Sequence, residues 1–391
     1  MLKDLESQHV MHTYNRFDVV LDRGEGCYIY DNYGKKYLDM GSGIAVNSLG
    51  YSHPKLMKSL EGQLHKLMHT SNLYYTKPQI ETAALLAKYS GFKKVFFCNS
   101  GTEANEAAIK IARKHGVSQS PTKTQMISMT GGFHGRTYGA LTATAQEKYQ
   151  APFKPMVPGF NYVEYNNIQQ LKQVITHDTC GVILEVIQGE SGIHVADKCY
   201  LQEVMKLCHD YNALLIIDEV QTGVGRTGSL FAYSQFDIEP DVITTAKGLG
   251  AGLPIGAVLV KEKADVLVPG DHGTTFGGNL MATTAAQVVI GELCENNLLQ
   301  HVQEIGNYLK EKLECLKKRK NEVVDVRGMG LMIGIELSIP ARHVINQCIE
   351  EGLLVIGAGE NVIRFLPPLI IEKQHVDEAV TLLEKVIEQY S

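Results

Sequence analysis

The sequence predicts an α/β fold: a large unit on a mostly parallel central sheet flanked by helices, then a smaller α+β unit at the C-terminus. Three observations carry that reading. Short aliphatic runs without polar alternation, such as Leu214 to Ile217 and Val242 to Thr244, are what a strand buried on both faces requires. These runs alternate with segments whose apolar residues recur at helical spacing, the mark of strand–helix–strand units. After about Leu280 the texture changes to long helices followed by alternating strands. A chain of 391 residues has room for two or three units, taking about 150 residues for each.

Each element has its own local reason. The stretch to about Met40 is extended and turn-rich, because Gly24, Gly26 and the cluster Asp31, Asn32, Tyr33, Gly34 are hairpin residues. Leu56, Leu60, Leu64 and Leu67 place a helix over 54–69, and a second covers 81–89. Residues 94–98 form a strand before a helix over 102–115, and 182–184 a strand before a helix over 201–211. Two more strands cover 214–217 and 242–244. Helices over 282–293 and 299–318 lead to strands around 330–336 and 362–365, and an amphipathic helix over 375–388 closes the chain. The expected division is 1–50, an N-terminal segment packing with the small unit, 51–280, the large unit, and 281–391, the small C-terminal unit.

Composition narrows the function. Apolar residues make up 44% and charged residues 20%, ordinary globular usage that argues against disorder. With 37 basic and 43 acidic residues, a net charge of −6, the chain offers no broad basic surface, and no nucleic-acid partner is expected. No run of about 18 apolar residues occurs, so no membrane-spanning helix is expected. The first ten residues carry acids and lack an apolar signal core. Eight cysteines without a Cys-x-x-Cys pair, and histidines without ligand spacing, suit reduced thiols and no metal. A cytoplasmic protein is the expectation.

Three segments carry chemistry. Asn99, Ser100, Gly101, Thr102 and Glu103 follow a strand and open a helix, where Ser100 or Thr102 can cap and exposed N–H groups can face an anion. Asp218 and Glu219 stand at the carboxyl end of a buried strand, where open α/β sheets bind ligands. Lys247 follows another buried strand and precedes the glycine-rich turn Gly248 to Gly252; a lysine held there has a lowered pKa suited to covalent chemistry with a carbonyl. One run misleads. Gly223, Gly225 and Gly228 match the dinucleotide fingerprint, but Asp-Glu-Val-Gln intervenes after the strand and no long helix follows before Pro240.

A carboxylate, a lysine 29 residues later and an earlier capped helix start form the parts list for pyridoxal phosphate. In that order, over Tyr14 to Leu369, the chain resembles the class III (fold type I) pyridoxal-phosphate aminotransferases, within the acetylornithine/ornithine group. The resemblance implies pyridoxal 5'-phosphate as cofactor. It makes Lys247 the lysine that binds the cofactor and shuttles the proton, Asp218 the partner of the ring nitrogen, and Gln221 the contact to the phenolic oxygen. It also implies Phe133 stacking on one ring face with Val220 on the other, and Ser100, Gly101 and Thr102 around the phosphate. Thr275 resembles a phosphate ligand given by a partner subunit, so a homodimer with shared active sites is implied.

The same resemblance assigns the substrate residues. Arg136 matches the arginine gripping the α-carboxylate of the diamino acid. Arg364 matches the one gripping the α-carboxylate of 2-oxoglutarate or glutamate, and Glu190 the acid that pairs with Arg364 in the first half-reaction. A planar guanidinium suits both grips. Tyr14 and Thr274 fall at substrate-side positions. Gly43 stands where ornithine enzymes tend to place a tyrosine, which favours an acylated amine. The implied reaction converts N2-acetyl-L-ornithine and 2-oxoglutarate to N-acetyl-L-glutamate 5-semialdehyde and L-glutamate, in arginine biosynthesis. Ornithine, succinylornithine and succinyl-diaminopimelate are alternative substrates. A decarboxylase or aminomutase on this scaffold, an NAD-dependent oxidoreductase and a non-catalytic binding protein are the rival classes. Val186 and Leu280 depart from the family, which often has proline at both places.

Overall fold

Seven strands form the central sheet, in the order Lys94–Cys98, Gly256–Val260, Val242–Thr245, Leu214–Asp218, Thr179–Leu184, Gln125–Met129, Phe160–Val163. The arrangement comes from a computed structural model, which describes residues 2–390. All neighbours are parallel except Gly256–Val260, which runs antiparallel to both of its own. The aliphatic runs are buried on both faces, as their composition requires. Leu214 and Ile216 pack with Ala104, Ala108 and Ile111 of the helix Gly101–Val117, while Leu215 and Ile217 face the larger cluster with Val204 and Leu201. Successive side chains thus serve two cores.

Two smaller sheets flank it. Leu21–Glu25, Tyr28–Asp31 and Lys36–Asp39 form antiparallel hairpins, and Lys36–Asp39 also pairs in parallel with Leu353–Leu354 from near the C-terminus. Val323–Met329, Met332–Leu337, Val362–Phe365 and Ile356–Gly357 form an antiparallel sheet in that order. Within it Arg364 lies opposite Gly334 and Ile356. The helices Leu298–Arg319 and Lys373–Ile387 pack together beside that sheet.

Several boundaries shift for local reasons. The helix expected over 54–69 stops at Leu64, and that expected over 81–89 starts at Lys77, where Pro78 in the first turn lacks an amide the helix would leave unpaired. The strand expected around 330–336 is the second arm of a hairpin turning at Gly330. Gln125–Met129, Phe160–Val163 and Gly256–Val260 add three strands to those expected. The helix Leu280–Glu295 packs on Pro54–Leu64 and Lys77–Ser90. Asn279 caps it, its Oδ1 accepting from the Ala282 amide at 3.0 Å, so leucine in place of proline at the first helical position leaves the start intact. No helix among the described residues is long and apolar enough to cross a membrane.

Candidate active site

Asp218 ends the strand Leu214–Asp218 in register with Thr244, only three residues before Lys247. Its carboxylate is buried and meets three donors. Asn105 Nδ2 and His134 Nδ1 lie 2.8 and 2.7 Å from Oδ2, and the Val220 amide donates to Oδ1 at 2.9 Å. Asn105 sits one turn into the helix Gly101–Val117 and is held from behind by Thr244 Oγ1, which donates to its Oδ1 at 2.8 Å. Burial works against the His134 imidazolium. Its bond to Asp218, with the charges of Asp218 and Glu185, outweighs that and raises its pKa. Glu185 anchors the stacking segment by accepting from the Phe133 amide at 2.9 Å, and burial pushes its carboxyl up to about 7.

Lys247 opens a tight turn with φ +45°, directly after Val242–Thr245. It is partly buried at the cavity wall, and desolvation lowers its ammonium pKa; Glu190 opposes that shift, while Arg364 adds to it. A lysine that sheds its proton more readily is a better nucleophile toward a carbonyl. The following carbonyl is fixed too, since Ser48 Oγ donates to Gly248 O at 2.7 Å.

The helix Gly101–Val117 begins with reciprocal caps. Ser100 Oγ accepts from the Glu103 amide at 3.3 Å, and Glu103 Oε2 accepts from the Asn99 amide at 2.7 Å. The amides of Gly101 and Thr102 belong to the first turn, which has no intrahelical acceptors, so this end suits an anion. Thr102 Oγ1 also meets Thr137 Oγ1 at 2.8 Å and accepts from the Arg136 amide at 3.2 Å, tying the cradle to the 132–137 loop.

Ser100, Gly101, Thr102, Phe133, Arg136, Asp218, Val220, Gln221 and Lys247 line one cavity of about 450 Å³, together with Val46, Asn105, Glu185 and Leu253 to Ile255. The set matches the needs of pyridoxal 5'-phosphate. There is an amine, a buried carboxylate with acceptor capacity left on Oδ1, an anion cradle, and a ring and a branched aliphatic side chain. Among the described residues no cluster of histidine, cysteine or carboxylates could hold a metal ion.

The arginines differ sharply. Arg364 is buried and its Nη1 donates to Gly189 O, Glu190 Oε1 and Gln221 Oε1 at 2.9, 2.8 and 2.9 Å. Although burial would raise the Glu190 pKa, the guanidinium holds it below the usual carboxylate range. Arg136 is exposed at the cavity mouth, its guanidinium carbon 3.9 Å from the Tyr149 ring centroid.

Four expected residues stand elsewhere. Thr274 Oγ1 accepts from Asn99 Nδ2 at 3.0 Å, one residue removed from the cavity wall. Thr275 lines a different groove with His69 to Asn72, and Tyr14 a third with Leu2, Glu6 and Arg16. Gly43 lies in a left-handed turn, Ser42 to Ala45, whose φ values are 42°, 63°, 65° and 64°. The next residue, Val46, reaches the cavity. A Cβ on Gly43 would stand 3.2 Å from Asn47 Nδ2, so glycine here answers a backbone demand as well as one of space. Sequence reasoning missed Asn105, His134 and Glu185 as partners of the site. Each lay beside a residue already singled out, and the signal was a polar side chain with no solvent to satisfy it.

Comparison with known proteins agrees with this geometry. The family model for class III aminotransferases matches residues 10–387. An acetylornithine aminotransferase of Methanocaldococcus jannaschii is 49% identical, covering 98% of this chain and 97% of the relative, and one from Aquifex aeolicus is 48% identical over 97% and 100%. Among solved structures, the N-acetylornithine aminotransferase of Stenotrophomonas maltophilia superposes with a TM-score of 0.86 at 35% identity, covering 99% and 98% of the two chains. The ornithine aminotransferase of Toxoplasma gondii gives 0.95 at 30%, covering 100% and 94%. Matched along nearly its whole length, the chain belongs to the class III aminotransferases.

Proposed function

We propose that the chain transfers the side-chain amino group of N2-acetyl-L-ornithine to 2-oxoglutarate, giving N-acetyl-L-glutamate 5-semialdehyde and L-glutamate, with pyridoxal 5'-phosphate as cofactor. The observation that carries the reading is buried Arg364 paired with half-buried Glu190 and bonded to Gln221 at the wall of the cavity that holds Lys247. An enzyme taking a monocarboxylate with a distal amine and then a dicarboxylate needs a cation it can hide and expose. The acyl preference rests on Gly43 and is supported by relatives named for acetylornithine at 48 and 49% identity.

When bound, the cofactor supplies the electron sink for transamination. The chain's residues do the rest. Lys247 Nζ shuttles the proton, taking it from the amine-bearing carbon of the amino donor in the first half-reaction and delivering one to C2 of 2-oxoglutarate in the second. Asp218, paired with His134, would keep a proton on the ring nitrogen, and Asn105 fixes the plane of that carboxylate. Phe133 and Val220 hold the ring between them, Gln221 meets the phenolic oxygen, and Ser100, Gly101 and Thr102 hold the phosphate. Arg136 grips the α-carboxylate at the mouth. Glu190 covers Arg364 during the first half-reaction and releases it for the α-carboxylate of 2-oxoglutarate.

Residues 1–50, 51–280 and 281–391 are the working units in this reading, with the helix Leu280–Glu295 staying against the large one. The reading includes a cytoplasmic homodimer in which Thr275 serves the partner's phosphate site; its place outside the chain's own cavity supports that.

The test is a spectral titration of purified holoenzyme. N2-acetyl-L-ornithine should remove the visible band of the bound cofactor and 2-oxoglutarate should restore it, with ornithine needing about tenfold more substrate for the same response. Lys247→Ala should abolish turnover. A colourless protein that binds NAD, or a band indifferent to acetylornithine, would sink the reading.

A further inference from the structure

The run Gly223 to Gly228 has no part in the chemistry derived so far, yet it is among the most buried loops of the chain. Thr222, Arg226 and Thr227 are 1, 2 and 2% exposed. The loop leaves the strand that ends at Asp218, carries Gln221 in its first turn and passes through further turns without starting a helix. Three C-terminal segments are joined to it. Arg226 Nη1 donates to Leu331 O at 3.1 Å and to Pro367 O at 2.5 Å, and the Leu331 amide donates back to Arg226 O at 2.9 Å. Gln303 Nε2, on the helix Leu298–Arg319, donates to Gly228 O at 2.7 Å. A Cβ on Gly330 would lie 2.5 Å from the Thr227 carbonyl carbon, so the two backbones meet where no side chain fits.

Pro367 follows Arg364 by three residues, and Arg364 in turn bonds to Gln221, in the first turn of the loop. The Arg226 guanidinium therefore closes a short circuit: Gln221, loop, Arg226, Pro367, Arg364, Gln221. A buried cation spent on two main-chain carbonyls is costly unless position is what it secures. Burial lowers the Arg226 pKa to about 9, with Asp39 opposing the shift, so the side chain stays charged at neutral pH.

We propose that Arg226 is a positioning residue that sets the reach of Arg364 toward the second substrate, so that the glycine loop serves 2-oxoglutarate binding and no dinucleotide. This rests on the reading of Arg364 as the 2-oxoglutarate clamp. In the first half-reaction Arg364 is covered by Glu190 and its exact reach matters little. In the second it must meet a carboxylate, and a displacement of about 1 Å at such a grip costs up to about a hundredfold.

The two half-reactions of the holoenzyme, followed separately by the cofactor band, test this. Arg226→Met should leave the acetylornithine half-reaction within about twofold and raise the 2-oxoglutarate KM about tenfold or more. Both carbonyl bonds come from one nitrogen, so an ammonium can remake them, and Arg226→Lys should restore the 2-oxoglutarate KM to within about threefold. Gln303 is exposed, and Gln303→Ala, which removes one tie of the same loop without threatening folding, should raise that KM alone by about two- to threefold. Equal losses in both half-reactions, failure of Arg226→Lys to rescue, or an unmoved KM in Arg226→Met or Gln303→Ala would overturn the proposal. Arg364→Ala, run in parallel, must itself remove saturation by 2-oxoglutarate. If it does not, the clamp reading falls; if it does while the other variants behave as wild type, only the role of Arg226 falls.

Discussion

Buried charge at single residues is where this site concentrates its free energy. Lys247, partly buried, feels the opposing charges of Glu190, which favours its ammonium, and Arg364, which disfavours it. Asp218 gathers three donors, the Asn105 amide side chain, the His134 imidazole and the Val220 main-chain amide. Its neighbour Glu219 has no such cation. Burial pushes its carboxyl up to about 7, although Thr222 Oγ1 and the Tyr233 amide donate to it at 2.6 and 2.7 Å. A carboxyl whose folded pKa is raised contributes stability that is complete below its unfolded pKa, near 4.5, and is lost as pH rises through about 7. Glu219→Gln mimics the protonated form, with the Thr222 hydroxyl free to accept from the new amide. Its stability should equal wild type near pH 4 and exceed it by up to about 3 kcal/mol above pH 7. Denaturant melts across that range check it, and a constant difference at all pH values would refute the assignment.

At the scale of elements, what the sequence made legible followed burial on both faces. The strand at 94–98 matches to the residue, although it begins at exposed Lys94 on the sheet edge. The expected strand at 242–244 misses only Thr245, because a run buried at every position has no other place in the fold. Asp218, Gln221 and Lys247 were legible for the same reason, as the polar residues directly beyond such runs. Gly256–Val260 is absent from the expected strands although Ala257 to Val260 is the same kind of run, buried throughout; the glycine-rich turn before it reads first as the setting of Lys247. Nor is the left-handed turn at Ser42 to Ala45 legible: three of its four residues carry side chains that cost about 1–2 kcal/mol each in that conformation. It is held by its own backbone, the Ile44 and Ala45 amides donating to Gly41 O at 2.9 and 3.1 Å, by the Gly41 and Ser42 amides donating to Asp39 Oδ1 at 2.9 Å, and by one long-range bond from Ser42 Oγ to Leu366 O. That last bond links the turn to the chain two residues past Arg364. Backbone strain and pocket space at Gly43 can be separated. Gly43→Ala should lower stability by about 1 kcal/mol and leave the acetylornithine-to-ornithine preference unchanged. Gly43→Tyr should add the same strain and move the preference toward ornithine. A matching change of preference in both variants would mean that the backbone, and no lost space, sets the choice of substrate.

For the whole molecule, the decisive feature is a surface the chain alone leaves uncovered. Leu67, Met68, Leu73, Tyr74, Tyr75 and Phe276 are all exposed, and Tyr75 is 98% so. A group of large apolar residues this exposed marks an interaction site. Thr275 stands among them, in a groove with His69 to Asn72 and Gly277. The residue expected to hold a phosphate and the surface expected to meet a second copy thus coincide, which an isologous two-fold interface would explain at once. Sedimentation of the wild type should give a dimer. Placing charges at the two most exposed positions nearby, with Leu73→Asp and Tyr75→Asp together, should give monomers whose cofactor affinity falls about tenfold or more, because each site then loses the partner's Thr275. Thr275→Ala should weaken cofactor binding while the dimer persists, which separates the phosphate contact from the assembly. A monomeric wild type with full cofactor affinity, or a Thr275→Ala protein that binds the cofactor normally, would show that each chain completes its own site.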